Sequence, residues 1–184
     1  MKDRVRGIRS IEIAMPDPAR AARFYRDVWN LSEVEIAGST IYMRGTAHYH
    51  HVLAITQAHG TPALTRITYD AASRSAVDRL YHQVRAHTDR CEPPRELTSG
   101  SRGYGFGFTD PDGWNFAIVA DVVDHTDQGP RPDRPTTITH VNLNTPDIPR
   151  ASAFLIEALG FRLIDETQAL IFLNADSADH SAMV

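Results

Sequence analysis

The chain has little cysteine and no long apolar run, and each shortage excludes a class of protein. Its 184 residues include a single cysteine, Cys91, so no disulfide can form within the chain, which suits a reducing compartment. No apolar stretch approaches membrane-spanning length, and the charged first ten residues lead into no signal-peptide core. These features predict a cytoplasmic protein that has no membrane partner.

Clusters of basic residues are missing too. The formal net charge is −4, and no run of Lys and Arg occurs along the chain. Because nucleic-acid binding requires clustered cations to neutralise phosphates, we do not expect a nucleic-acid partner. The apolar fraction of 42% is ordinary for a globular protein, and the length allows one substantial domain or two small ones.

What the sequence does contain is a repeat with an offset of 130 residues. Ile8, Pro16, Asp17, Arg20, Ala21, Phe24, Ile41 and His50 recur as Ile138, Pro146, Asp147, Arg150, Ala151, Phe154, Ile171 and His180. Chemically similar pairs fill the positions between them, but Ser10 of the first copy corresponds to His140 of the second. A repeat at fixed register predicts two copies of one structural unit.

Each copy predicts the same order of elements. An alternating stretch indicates a half-buried strand, Pro-Asp then marks a helix start with Asp17 or Asp147 as N-cap, and three short strands follow. Apolar residues recur on one side of each predicted helix: Ala21, Phe24, Tyr25 and Val28 in the first unit, Val77, Leu80, Tyr81 and Val84 in the second, and Ala151, Phe154, Leu155 and Ala158 in the third. A weaker middle copy ends in a hairpin whose Asp-Gly turn is residues 112–113. We therefore predict βαβββ units over about 8–60, 62–122 and 137–184.

A polar, proline-rich stretch separates the second and third units and predicts a linker. The predicted organisation is an N-terminal domain over residues 1–124, a linker over 125–136 and a third unit over 137–184.

The segments "DPDGWNFAIV" and "HVNLNTPD" resemble the vicinal oxygen chelate superfamily, which contains glyoxalases, bleomycin-resistance proteins and extradiol dioxygenases. The layout is most similar to two-domain extradiol dioxygenases, which have four βαβββ modules with the metal in the C-terminal pair. The resemblance implies an α+β fold of curled mixed sheets with helices packed outside. It also implies an oxidoreductase of aromatic compound catabolism that acts on a catechol-type diol with O₂, and a homo-oligomer.

Within that resemblance, His140 matches the first metal ligand, for Fe(II) or less often Mn(II). Alternation places His140, Asn142 and Asn144 on one strand face and Val141 and Leu143 on the other. Imidazole suits Fe(II), which two histidines and one carboxylate can hold with positions left open. The alternative is a half-buried strand histidine that only makes a hydrogen bond.

His180 matches the histidine that transfers protons beside the bound substrate, a role that suits a group titrating near neutral pH. The alternative is a solvated histidine at a strand end.

The first two units lack the corresponding metal ligands. Ser10 and Arg66 stand where histidines would be, and Ala117 stands where a metal-binding pair has Glu. The run His48 to His51 is a rival metal site, but we predict a polar strand edge because no Cys/His partner pair stands at suitable spacing. A site that combines Glu12 with His50 or His51 stays open as the alternative.

The implied ligand set is incomplete, because the second histidine and the carboxylate belong to a fourth module and the sequence ends at Val184. Three explanations stay open: a fragment of a longer dioxygenase, third units paired across a two-fold axis, or a metal-free protein. The last would bind and sequester small molecules as bleomycin-resistance proteins do. Trp114, Phe106, Phe108 and Tyr104 would line its cleft, although aromatics in strands are more often core residues.

Overall fold

The computed structural model describes residues 3–175. Its elements are, in chain order, β1 (Ile8–Met15), α1 (Pro18–Asp27), β2 (Ser32–Ala37), β3 (Thr40–Arg44), β4 (Leu53–Gln57), β5 (Ala63–Asp70), α2 (Arg74–Arg85), β6 (Arg95–Leu97), β7 (Gly103–Thr109), β8 (Asn115–Ala120), α3 (Ile148–Leu159), β9 (Arg162–Glu166) and β10 (Ile171–Asn174). The first two units therefore each have the predicted order βαβββ.

Strands β1 to β8 form one mixed sheet in the order β2-β3-β4-β1-β5-β8-β7-β6. The order is symmetric about the centre of the sheet. Strands β2, β3, β4 and β1 run from one edge to the centre, and their counterparts β6, β7, β8 and β5 run from the other edge to the centre. The two units meet where β1 pairs antiparallel with β5, and within each unit the first and last strands pair in parallel. The α+β fold of curled mixed sheet with helices outside is confirmed.

The predicted helix starts are confirmed by their caps. The backbone N–H of Arg20 donates to the Asp17 carboxylate at 2.9 Å, and Arg150 N–H donates to Asp147 at 3.0 Å. Each cap satisfies an N–H that has no partner within the helix, which stabilises the helix by about 1 kcal/mol. Pro18 occupies the first turn of α1, where its missing N–H costs no hydrogen bond.

The helices of the second and third units bury the predicted apolar faces. Helix α2 buries Val77, Leu80 and Val84, and helix α3 buries Phe154 and Leu155 among other residues. Both faces belong to one hydrophobic core that also contains the inner residues of β5, β7 and β8. The third unit is thus packed against the second unit through α2 and α3.

The predicted apolar stripe of α1 is only partly buried. Ala21 and Ala22 are buried, but Phe24 and Val28 are 50% and 62% exposed. Small alanine side chains allow a helix to lie close to a sheet, and this orientation turns the bulky members of the stripe outward. The prediction that Phe24 and Val28 face the core was wrong.

The strand predicted at 138–144 is also missing from the described part of the chain. The equivalent strand β1 is held by ladders to β4 on one side and β5 on the other. Among residues 3–175 the segment 138–144 shows a single bridge position, at Val141, and no continuous ladder, so it is not a strand there. The third unit contributes helix α3 and the hairpin β9–β10.

The predicted linker is hydrogen-bonded to the loop between β3 and β4. Thr46 N–H donates to Pro135 O at 3.1 Å, Ala47 N–H donates to Thr136 O at 3.2 Å, and His125 N–H donates to His48 O at 2.7 Å. Such backbone bonds fix an irregular segment much as a strand pairing would. No helix among residues 3–175 is long and apolar enough to cross a bilayer.

Candidate functional site

The segment 138–144 keeps the predicted alternation although it is not a strand. Val141 and Leu143 are half-buried and pack against the hydrophobic core, whereas His140, Asn142 and Asn144 are exposed. We call these last three residues the His140 face. His140 itself is exposed, and Asn142 and Asn144 line the rim of a cavity of about 130 Å³ that is bordered by helix α3 and strand β10.

His140 has few neighbours. Its Nδ1 lies 3.2 Å from Thr139 Oγ1, and this is the hydrogen bond that the described residues offer the ring. Within residues 3–175, no group of three or more His, Cys, Asp or Glu side chains is placed to share a metal ion. A single imidazole does not satisfy Fe(II) or Mn(II), so the described residues alone do not fit a metal, and His140 as a ligand stays a prediction. His180 lies outside the described residues, and its role stays a prediction as well.

The three positions predicted to have lost their ligands come together in one cavity. Ser10, Arg66 and Ala117 all line a space of about 230 Å³ in the sheet of the first two units, which we call the N-terminal cup. Ser10 pairs with Thr68, and Thr68 pairs with Ala117, so two of the three lie in one row across the sheet. In the adjacent row Arg66 pairs with Glu12.

Loop residues His48 to His51 are not the predicted strand edge. They belong to the connection between β3 and β4, where His50 and His51 are each 8% exposed. Their Nδ1 atoms are 3.1 Å apart, so one ring must donate an N–H and the other must accept. The His50 ring also stacks on His125 with 5.3 Å between centroids, and its Nε2 lies 3.3 Å from Glu35 Oε2.

Burial favours the neutral forms of His50 and His51. It lowers the pKa of His51 to about 3, with smaller contributions from the nearby His50 and Arg9. The pKa of His50 is lowered as well, mainly by burial, although Glu35 opposes the shift. Within the described part of the chain, only the Nδ1 atoms of His50 and His51 come together here, and a metal ion would need further ligands. The stacking of His50 on His125 instead connects this loop to the linker.

A buried cation in β1 was not predicted from the sequence. Arg9 is 2% exposed and donates to the carboxylates of Asp70 at 3.1 Å and Asp124. Its guanidinium also lies 5.1 Å from the centre of the Tyr49 ring. The sequence could have indicated this cation, because Arg9 stands between Ile8 and Ser10 at a position of the strand that faces the core. A buried charge has to be paired, so that position called for acidic partners elsewhere.

The aromatic residues suggested for a binding cleft are mostly core residues. Phe106 and Phe108 are buried, with ring contacts to each other and, respectively, to Tyr81 and Phe154. Trp114 lines a cavity of about 130 Å³ beside the start of α3. Burial also raises the pKa of the Cys91 thiol to about 11, which disfavours the reactive thiolate.

Residues 7–118 and 137–183 match the family described as the Glyoxalase/Bleomycin resistance protein/Dioxygenase superfamily. The chain belongs to this superfamily. The match leaves out residues 119–136, most of which form the predicted linker. The symmetric sheet of paired βαβββ units and the cup between them agree with that membership.

Known proteins similar to this chain include a metapyrocatechase of Geobacillus stearothermophilus, which is 24% identical over 85% of this chain and 51% of the relative. The Mn(II)-bound glyoxalase of Novosphingobium aromaticivorans is 29% identical with a TM-score of 0.90, over 98% of this chain and 61% of that structure. Homoprotocatechuate 2,3-dioxygenase of Arthrobacter globiformis is 24% identical with a TM-score of 0.85, over 99% and 59%.

The chain therefore spans about half of the curated relative, 51%, and about three fifths of these two structures, 61% and 59%.

Proposed function

We propose that this chain is part of an extradiol ring-cleaving dioxygenase that acts on a catechol-type aromatic diol with Fe(II), or Mn(II), and O₂. The observation that carries the proposal is the His140 face: His140 lies opposite the core-packed Val141 and Leu143, at the position where β1 places Ser10 towards the N-terminal cup. The similarity to a metapyrocatechase and to homoprotocatechuate 2,3-dioxygenase supports the kind of reaction.

In this proposal His140 is one ligand of the metal, and the remaining ligands come from outside the described residues. A continuation of the chain or a second copy would supply them, and the open His140 face leaves room for either. His180 would hold or release a proton near the substrate. The metal would supply the activation of O₂ and diol, while the residues described here position one imidazole.

Metal retention tests the role of His140 without depending on turnover. The loss of the free Mn(II) signal in electron paramagnetic resonance measures binding to the wild-type chain, to His140→Ala and to His59→Ala. His59 is a matched control because it is also exposed and lies in a loop of the first unit. We expect binding to be weakened about tenfold or more by His140→Ala and to be unchanged by His59→Ala, because an imidazole ligand is worth more than 1 kcal/mol. Equal retention by all three proteins would contradict the role of His140, and no metal uptake by an intact full-length protein that includes the remaining ligands would contradict the proposal.

Ring cleavage tests the reaction itself. The protein is reconstituted with Fe(II) without oxygen and then given catechol or 2,3-dihydroxybiphenyl in air, where a yellow product reports cleavage. We expect little product from the isolated chain unless ligands from a second copy complete the site, and none from His140→Ala.

A glyoxalase activity is the second candidate, because the Mn(II)-bound glyoxalase is 29% identical and has a TM-score of 0.90. The same metal-loaded protein should be assayed for both reactions. Glyoxalase turnover without ring cleavage would favour this candidate.

A further inference from the structure

The N-terminal cup is a cavity with charged walls that the proposed dioxygenase chemistry does not use. Small residues leave its floor unfilled: Ser10, Ala54, Gly105, Gly107 and Ala117. Tyr69, Phe116 and Ile118 are fully buried in the core on the helix side of the same sheet, so the sheet fills one face and keeps the other hollow. A polar cavity of about 230 Å³ is large enough to take a small molecule in place of water.

Across the cup runs a row of polar side chains set by strand register. Tyr42 pairs with Ala54, Ala54 pairs with Glu12, and Glu12 pairs with Arg66. The small Ala54 separates Tyr42 from Glu12 and leaves space between them. The row therefore presents a phenol, a carboxylate and a guanidinium to one cavity.

Arg66 and Glu12 form an ion pair without a direct hydrogen bond. Their closest atoms, Nη1 and Oε2, are 3.7 Å apart, which is too far for a hydrogen bond. Glu12 accepts from Thr65 Oγ1 through its other oxygen, at 3.2 Å. One positive and one negative group thus stand side by side with donors and an acceptor available to a ligand.

The charges of the cup balance. Glu12 and Arg66 lie in the row, and Glu92 and Arg95 line the same cavity. A simple anion at Arg66 would be repelled by the nearby Glu12 carboxylate, whereas a molecule with both charges gains from both groups. Leu97 and Val119 add an apolar wall.

We propose that the N-terminal cup binds a small aliphatic α-amino acid, with the ligand carboxylate on Arg66 and the ligand ammonium on Glu12. The carboxylate suits the planar, two-pronged guanidinium. The ammonium suits a carboxylate whose other oxygen is already held by Thr65. The aliphatic side chain would lie against Leu97 and Val119. The site needs no metal and is independent of the reaction proposed for the third unit.

The test compares three probes that differ by one charged group each: L-leucine, 4-methylpentanoate, which lacks the amine, and 3-methylbutylamine, which lacks the carboxylate. Binding to the wild-type chain is measured by titration calorimetry and by saturation-transfer NMR. We expect L-leucine to bind at least about tenfold more tightly than either analogue, since each loses one charge-assisted contact. No binding of L-leucine, or equal binding of an analogue, overturns the proposal.

Substitutions of cup residues test whether L-leucine binds in the N-terminal cup. Arg66→Met and Glu12→Gln should each weaken L-leucine binding about tenfold, and Arg23→Met, the same change on the exposed face of α1, should leave it unchanged. Gly107→Leu should abolish binding by filling the floor of the cup. A Cβ at Gly107 meets no atom closer than Phe116 O at 3.7 Å, so the backbone there accepts a side chain that points into the cavity. Circular dichroism confirms that each variant is folded. Undiminished binding by Arg66→Met or by folded Gly107→Leu overturns the assignment to the cup.

Discussion

Acid should destabilise this protein through His51, and the size of the effect follows from its burial. The ring is 8% exposed, and burial lowers its pKa from 6.5 to about 3. In the unfolded chain the ring binds a proton below about pH 6.5, while in the folded chain it stays neutral until about pH 3. Acidification through this window therefore favours the unfolded state.

The expected loss can be calculated from proton linkage. Between about pH 7.5 and about pH 5, a shift from 6.5 to about 3 removes about 2 kcal/mol from the free energy of unfolding. His50 adds to the loss, because its pKa is also lowered and its Nδ1 faces that of His51. Burial raises the pKa of Asp70, which works in the opposite direction, but this contribution is the same in the variants below and cancels.

Urea denaturation followed by circular dichroism at the two pH values measures the effect. The wild type should lose about 2 kcal/mol more on acidification than His51→Gln, which has no titrating ring. His59→Gln removes an exposed histidine and should behave as the wild type does. If His51→Gln loses as much stability as the wild type, the ring is not held neutral and the reasoning is wrong.

Two further substitutions test contacts that hold the linker and the sheet. Gly45→Ala should destabilise the fold by about 1–3 kcal/mol, because its Cβ would lie 2.3 Å from Pro135 O; Gly60→Ala, which meets no atom within 4 Å, is the matched control in thermal unfolding. Arg9→Met should cost about 3 kcal/mol in urea denaturation, because it leaves the buried Asp70 carboxylate without its cation. A cost equal to that of the exposed Arg23→Met would contradict the buried pairing.

Local signals were sufficient for the units and their helix starts. The Asp17 and Asp147 caps, the Asp-Gly turn and the alternation of His140 with Val141 depend on neighbours a few residues away. Short-range hydrogen bonds and strand alternation are properties of the chain segment itself. The symmetric order of strands joins the first unit to the weaker second copy, and this pairing of units was not predicted from the sequence.

Long-range packing decided what those signals could not. Whether 138–144 becomes a strand depends on partners far along the chain, and the burial of His50 and His51 depends on the linker returning to their loop. Phe24 has the right period for a core face, yet α1 packs through its alanines and turns the ring outward. The sequence alone determined which residues have the chemistry, because side-chain type and period are local. Only the tertiary structure decided that Arg66, Glu12 and Tyr42 share one cavity, since strands that are distant in sequence become neighbours through the order of the sheet.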